Sequence, residues 1–173
     1  MTERVDPTDV VVRDATVDDW PAIWAIFRDV VAGGDTYSYP PDIGEAEARA
    51  TWMPDAAIGR RTHVAEVDGS IVGTAYVKPN QPGLGDHVAN AGWMVDPVQA
   101  GRGIGRPFAE QVIARARADG FTAMQFNAVV ATNAAAIGLW RSLGFDEVGR
   151  IPGAFRHATE GEVDLLVMHR RLD

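Results

Sequence analysis

The chain has 173 residues, 46% hydrophobic and 23% charged, which is the composition of one ordinary globular domain with enough length to bury a real core. Sixteen Lys plus Arg against 24 Asp plus Glu give a formal net charge of −8, which opposes general affinity for a polyanion such as nucleic acid, so any basic site has to be local. With no cysteine, the chain has no disulfide frame, thiol nucleophile or thiolate metal site, and no metal is expected.

The N-terminal "MTERVDPTD" is polar and acidic, unlike a signal peptide, and no apolar run approaches the roughly 18 residues of a membrane span. The expectation is a cytoplasmic protein without membrane partners, with residues 1–9 as a flexible segment and 10–173 as a single domain. "VVVRDAT" (10–16) is rich in β-branched types, and "TVDD" (16–19) has the Thr-x-x-acid form of a helix cap, with Asp a weaker partner than Glu. Trp20, Ile23, Trp24, Phe27, Val30 and Val31 then recur at helical steps until Gly33-Gly34 stops the helix. The loop "GGDTYSYPPDI" reads as ordered. Tyr37 and Tyr39 in it are candidates to line a pocket, and simple packing is the equal alternative. A second helix is expected from about Glu45 to Ala57.

"THVAEVD" and "SIVGTAYVK" read as strands joined at Asp68-Gly69, a dipeptide that favours a two-residue hairpin turn. A Gly-, Pro- and Asn-containing loop, "PNQPGLG", leads to a third strand, "DHVANAGWMVD", which ends at Pro97. After "QAGRGIG" (99–105), a helix is expected from Arg106 to Asp119, with Phe108, Val112, Ile113 and Ala116 on one face and Gly120 closing it. "FTAMQFNAVV" is a further strand, and "TNAAAIGLWRSLGF" follows it. The end of the chain reads as a strand and glycine-bearing loop in "VGRIPGAFRH", then a near-continuous apolar strand, "EVDLLVMHRRL", that closes an acceptor pocket.

A glycine-rich strand-to-helix turn is a preformed phosphate site, because the first helical turn carries unpaired N–H groups and the positive end of the macrodipole. Gly101, Gly103 and Gly105 let the main chain approach an anion, and Arg102 and Arg106 add local charge. The alternative is a turn with no ligand. A Walker A loop is excluded because Arg106 and Pro107 follow Gly105, where Lys-Ser or Lys-Thr is required. A dinucleotide fingerprint is disfavoured by Arg106 at its third glycine and by an antiparallel strand before the loop.

"VDPVQAGRGIG" resembles the pyrophosphate motif of the GCN5-related N-acetyltransferases, and "TNAAAIGLWRSLGF" resembles their second signature, an Asn followed by a helix ending in Leu-Tyr-x-x-x-Gly-Phe. The likeness runs from Val10 to Leu172. It implies an α/β fold with a mixed, mostly antiparallel central sheet flanked by helices, acetyl-CoA as acyl donor, and homodimerisation. It implies that Met94 and Val95 present backbone groups to the pantetheine arm, that the N–H groups of Arg102, Gly103, Ile104, Gly105 and Arg106 hold the pyrophosphate, and that Asn133 contacts the cofactor arm, with a helix N-cap as its structural alternative.

Two positions depart from that pattern. Ala100 stands where Arg or Gln is usual, and Trp140 stands where many relatives carry a tyrosine that protonates the leaving thiolate. An indole N–H donates a hydrogen bond but is no practical proton donor, so Trp140 is either a cofactor contact or packing. Direct attack of an amine on a thioester needs an amine that loses its proton and a donor to the thioester carbonyl, and an N–H near Met94 is the candidate donor. For the proton, the strand "DHVANAGWMV" offers His87, Asp86 and Asn90, with Glu66 on another strand; His87 is the candidate base on intrinsic pKa, Asn90 a further catalytic candidate, and a water relay held by polar side chains the alternative.

The pairing of "HVANAGWMV" with the downstream motif is similar to the fungal N-acetyltransferases that act on proline analogues such as azetidine-2-carboxylate, which makes Asn90 and Asn127 acceptor-site candidates. Phe155 and Arg156 are substrate-side candidates, an arginine there suiting a carboxylate. The function implied is acetylation of a small-molecule amine (an amino acid, an analogue or a toxic amine). The alternatives are a protein N-terminal acetyltransferase and a non-catalytic acyl-CoA sensor.

Overall fold

The structure, a computed structural model, describes residues 4–54 and 59–172. Seven strands form one sheet in the order β1-β2-β3-β4-β5-β7-β6: β1 (Val11–Asp14), β2 (Arg61–Val67), β3 (Ser70–Pro79), β4 (Val88–Val95), β5 (Ala123–Val130), β6 (Asp146–His157) and β7 (Gly161–Arg171). Neighbours are antiparallel except β4 and β5. Helices α1 (Trp20–Ala32) and α2 (Glu45–Trp52) cover one face, while α3 (Gly105–Ala118) and α4 (Ala134–Ser142) cover the other. The alternation of β2 shows this division, since Val64 joins the core under α1 and its neighbour Ala65 the core under α3.

The start of α1 is built as the sequence predicts. Asp19 closes a short 3-10 turn and accepts from the Thr16 N–H at 2.7 Å, while Arg13 of β1 binds both of its carboxylate oxygens at 2.7 and 2.8 Å and reaches Glu66 of β2. Chiefly the Arg13 hydrogen bonds hold the Asp19 carboxyl well below its ordinary pKa. A lowered carboxyl pKa gives stability that is complete above the unfolded value and lost as pH falls through the folded one. Arg13→Gln should therefore cost about 1–3 kcal/mol in urea denaturation at neutral pH. The gap between variant and wild type should narrow below about pH 4.

The β2–β3 turn uses left-handed Asp68 (φ 52°) and Gly69 (φ 73°), as a two-residue hairpin requires. Three expectations need correction. Helix α2 ends at Trp52, because Pro54 disfavours helical backbone before it; residues 55–57 of the expected helix lie outside the described residues. The glycine-bearing loop expected after Val148 is part of β6, whose pairing with β7 slips between Ile151 and Phe155 around Pro152 and Gly153. Proline is tolerated there because β6 is an edge strand. Residues 4–9, expected to be flexible, are anchored at one point: Val5 is buried and its N–H donates to the Arg102 carbonyl at 2.9 Å, while Pro7–Asp9 forms an exposed 3-10 turn capped by Asp6. Residues 1–3 of that segment lie outside the described residues.

No helix among the described residues is long and apolar enough to cross a membrane.

Candidate active site

The site begins where two parallel strands part. β4 and β5 pair only over Val88–Asn90 and Ala123–Gln125, and beyond this fork they diverge. At opposite ends of the β3–β4 ladder, Asp96 N–H meets the Val72 carbonyl at 2.9 Å and Asn80 N–H meets the Val88 carbonyl at 2.8 Å. Backbone direction alternates along a strand, so Asn90, Gly92 and Met94 turn their peptide groups into β3, and beyond the last β4–β5 pair, Asn90 with Gln125, Trp93 and Val95 turn theirs into the gap. The expectation for Met94 is corrected on this ground, since its N–H belongs to the sheet. The open groups are those of Trp93 and Val95, and the Trp93 carbonyl accepts from the Tyr37 hydroxyl at 2.7 Å.

Asn90 sits at the fork, nearly buried. Its Nδ2 donates to the Gln125 carbonyl at 3.0 Å, and its Oδ1 accepts from the Tyr76 hydroxyl at 3.3 Å. Asn127 belongs to a more exposed chain: it accepts from Gln125 at 2.8 Å and donates to Asn80 at 2.7 Å. Both asparagines tie neighbouring segments together, and both line a cleft of about 750 Å³ that runs through the gap. Tyr37, Tyr39, Met94, Val95, Ala100, Gly105, Asn133 and Trp140 also line it.

One wall is aromatic. Trp140 packs against Trp93 and Phe126 with ring centroids 5.0 and 4.6 Å away. Asn133 caps α4 by accepting from the Ala136 N–H at 3.0 Å, so the capping role is occupied and the residue still borders the cleft.

At the cleft's other end lies the glycine-rich turn. Gly101 (φ 80°) and Gly103 (φ 87°) are left-handed, which explains glycine at both positions. A Cβ at Gly101 would meet open space, leaving the backbone approachable. Gly105 opens α3, and the N–H groups of that first turn have no intrahelical acceptor. Arg106 reaches Glu110 at 2.9 Å and Ser142 at 2.6 Å, and Arg102 holds Gln99. Gly103, Gly105 and Arg106 border a second depression of about 600 Å³, closed by Arg4 and Val5 of the N-terminal segment. The Ile104 side chain points into the core, so only its backbone is available to a ligand.

The opposite side of the cleft is walled by tyrosines. Tyr37 and Tyr39 stack at 5.8 Å, and Tyr76 lies over Gly92, where a Cβ would come within 2.7 Å of its ring. Burial raises all three phenol pKa values, that of Tyr39 to about 12, so these hydroxyls are donors at neutral pH and not bases. Buried polar atoms without a hydrogen-bond partner among the described residues are Thr36 Oγ1, Arg60 Nε, His63 Nδ1 and Trp93 Nε1. His63 lies 3.0 Å from the Asp14 carboxylate near β1. Thr36 and Trp93 line the cleft, and Arg60 rests on the Tyr76 ring. Orphaned polar atoms are rare in a folded interior, and two of these, Thr36 Oγ1 and Trp93 Nε1, belong to residues that line the cleft.

Of the turn, Gly105 lines the cleft while Arg102, Gly103, Ile104 and Arg106 are not among its lining residues, and three catalytic or acceptor-side candidates lie away from it as well. His87 is exposed ahead of β4, seven residues before Met94 or roughly 23 Å along an extended chain. Phe155 packs behind the lining with Val130 and Leu165. The Arg156 side chain is 91% exposed and faces Glu162 at 3.9 Å. Tyr76 and Trp93 line the cleft unannounced, and Arg60 packs on the Tyr76 ring without lining it. The signals available in the sequence were an aromatic next to "WMV" and a tyrosine in the strand facing it, but nothing local distinguished Arg60 from a surface arginine.

Residues 17–145 match the Acetyltransferase (GNAT) family. A solved GCN5-related N-acetyltransferase from Kribbella flavida is 47% identical, with a TM-score of 0.90 over 96% of this chain and 99% of that one. The L-methionine sulfoximine/L-methionine sulfone acetyltransferase of Pseudomonas aeruginosa is 33% identical over 82% of this chain and 83% of its own. N-acetyltransferase aca1 of Schizosaccharomyces pombe is 40% identical over 57% of this chain, a match that spans 47% of that protein's length.

Proposed function

Because this chain belongs to the GNAT family of acetyltransferases, we propose that it moves an acetyl group from acetyl-CoA directly to the amine of a small molecule. The observation that carries this reading is the fork between β4 and β5, a gap floored by outward-facing peptide groups with a phosphate-suited turn at one end and a tyrosine-walled chamber at the other. The residues present fit acetyl-CoA. Gly101 and Gly103 open the backbone of the turn, α3 supplies unpaired N–H groups, and Trp93, Phe126 and Trp140 give an apolar wall. When bound, acetyl-CoA supplies the acetyl group as a thioester.

In this reading the backbone from Gly103 to Arg106 binds the pyrophosphate, with Arg106 adding charge, because the Arg102 N–H is already donated to the Gln99 carbonyl at 3.3 Å. The Val95 N–H offers a hydrogen bond to a carbonyl in the gap, and Asn133 and Trp140 flank the arm. The Trp93 indole N–H is a further donor in the same wall. Tyr37 holds the Trp93 carbonyl, fixing the strand that presents these groups. Asp29 and Asp35 line the cleft and favour an entering ammonium. No histidine lines the cleft among the described residues, so the amine proton leaves through water between polar walls. Asn90 and Asn127 border the acceptor.

The small-molecule class is supported by the Pseudomonas relative, whose named acceptors are amino-acid derivatives. Cytoplasmic location and homodimerisation belong to the same reading. The edge strand β6 exposes Val148 and Ile151, a surface suited to a second copy, and gel filtration at the monomer mass would count against the dimer. Incubation with acetyl-CoA and a panel of small amines, followed by mass spectrometry, should yield an N-acetylated amino-acid-sized product. Acetylation of peptide N-termini alone would transfer the reading to protein substrates.

A further inference from the structure

The N-terminal segment is fastened to the glycine turn. Val5 N–H donates to the Arg102 carbonyl at 2.9 Å, and the Val5 side chain is buried in the same core cluster as Ile104 and Phe108. With Val5 fixed, the residue before it is carried over the turn, where a Cβ on Gly103 would lie 3.2 Å from Arg4 Nε and 3.4 Å from its Cγ. Arg4 is exposed and borders the second depression, of about 600 Å³, with Gly103, Gly105, Arg106 and Glu110. Gly105 and Leu139 border both this depression and the main cleft, so a ligand that lies along the cleft and passes them comes to Arg4. The Glu110 carboxylate is met by Arg106 at 2.9 Å, and the charge of Arg4 then makes the depression cationic in a chain of net charge −8.

Acetyl-CoA carries a pyrophosphate, assigned above to the backbone of the turn, and a 3′-phosphate monoester on its ribose, with about two negative charges at neutral pH. Counted from the thioester, the ribose phosphate comes after the pyrophosphate, just as the depression that Arg4 borders comes after Gly105 when followed from the fork. We propose that Arg4 is a cofactor-binding residue that takes the ribose 3′-phosphate, and that Val5 docks the N-terminal segment so as to present it. A guanidinium matches two phosphate oxygens at once, which an ammonium does not. The inference rests on the acetyl-CoA reading above. It also gives Gly103 a second reason to be glycine, since any side chain there would displace Arg4.

The test compares acetyl-CoA with its 3′-dephospho analogue by calorimetry, using the full chain as wild type, Arg4→Gln and Arg4→Lys. Wild type should bind acetyl-CoA about 5- to 10-fold more tightly than the analogue, the scale of one partly solvated charge-assisted pair. Arg4→Gln should weaken acetyl-CoA to the level of the analogue while leaving the analogue within about twofold of its wild-type affinity. Arg4→Lys should recover part of the preference. Because Arg4 is exposed, the thermal midpoint of each variant should stay at the wild-type value, which separates a lost contact from a lost fold. A wild type indifferent to the 3′-phosphate, a preference that survives Arg4→Gln, an equal loss for both ligands, or an affinity that rises when the guanidinium is removed overturns the assignment of Arg4, and the acetyl-CoA reading stands on the binding that remains. Binding of neither ligand by wild type removes the cofactor reading and the inference with it.

Discussion

Gly105→Asp is expected to weaken acetyl-CoA binding by about 100-fold, read by calorimetry, while the thermal midpoint stays at or slightly above the wild-type value. The prediction separates ligand from fold. Gly105 is the first residue of α3, its φ is not left-handed, and a Cβ there meets only Leu139 at 3.5 Å, an ordinary contact. A carboxylate in the first turn favours the helix dipole, so the helix itself gains. The same carboxylate occupies the ground assigned to a pyrophosphate and repels it. Gly103 is the poorer test, because φ of 87° and Arg4 Nε at 3.2 Å from its Cβ strain any side chain regardless of ligand. Unchanged affinity in Gly105→Asp would remove the turn from the cofactor site.

Asn90→Ala is expected to lower kcat by about 10- to 100-fold with acetyl-CoA affinity within about threefold of wild type. The side chain does two jobs at the fork. It satisfies the Gln125 carbonyl where β5 leaves β4, and it positions the Tyr76 hydroxyl on the acceptor side. Removal leaves both without that partner, at about 1–3 kcal/mol of stability for a buried carbonyl. The acceptor then loses its placement, while the glycine turn remains as it was. Equal losses in turnover and cofactor affinity would make Asn90 a fastener of the fork alone.

Much of this architecture was legible in local chemistry. The Asp68-Gly69 hairpin, the amphipathic α1 and the glycine turn all depend on neighbours in sequence, and each formed where its residues indicated. What could not be read is what depends on strand phase. The expected donor was an N–H near Met94, with Met94 and Val95 both presenting backbone groups, and the hydrogen-bond alternation set by Val72 and Asn80 leaves that outlook to Val95 alone of the two. His87 is exposed at the end of the strand away from the gap, a position its residue type could not reveal. Arg60 and Arg156 look alike in sequence; only the tertiary packing lays one on Tyr76 and leaves the other in solvent. The β6 edge hid its continuity behind Pro152 and Gly153, residues that ordinarily end a strand.

Trp140 stacks in the aromatic wall with Trp93 and Phe126, and the three tyrosines with raised pKa values stand across the cleft as hydrogen-bond donors. Ala100 offers only a methyl to the lining, so the proposed cofactor reading assigns recognition at the turn to backbone N–H groups.

The central claim is that acetyl-CoA bound in this cleft gives up its acetyl group to an amine. Thiol release from acetyl-CoA, followed spectrophotometrically against the amine panel in parallel with calorimetric binding of acetyl-CoA, tests it most directly. The account predicts cofactor binding together with thiol release that rises and saturates with an amino-acid-sized amine. Tight binding of acetyl-CoA with no amine-dependent thiol release across the panel would contradict it and identify an acyl-CoA sensor.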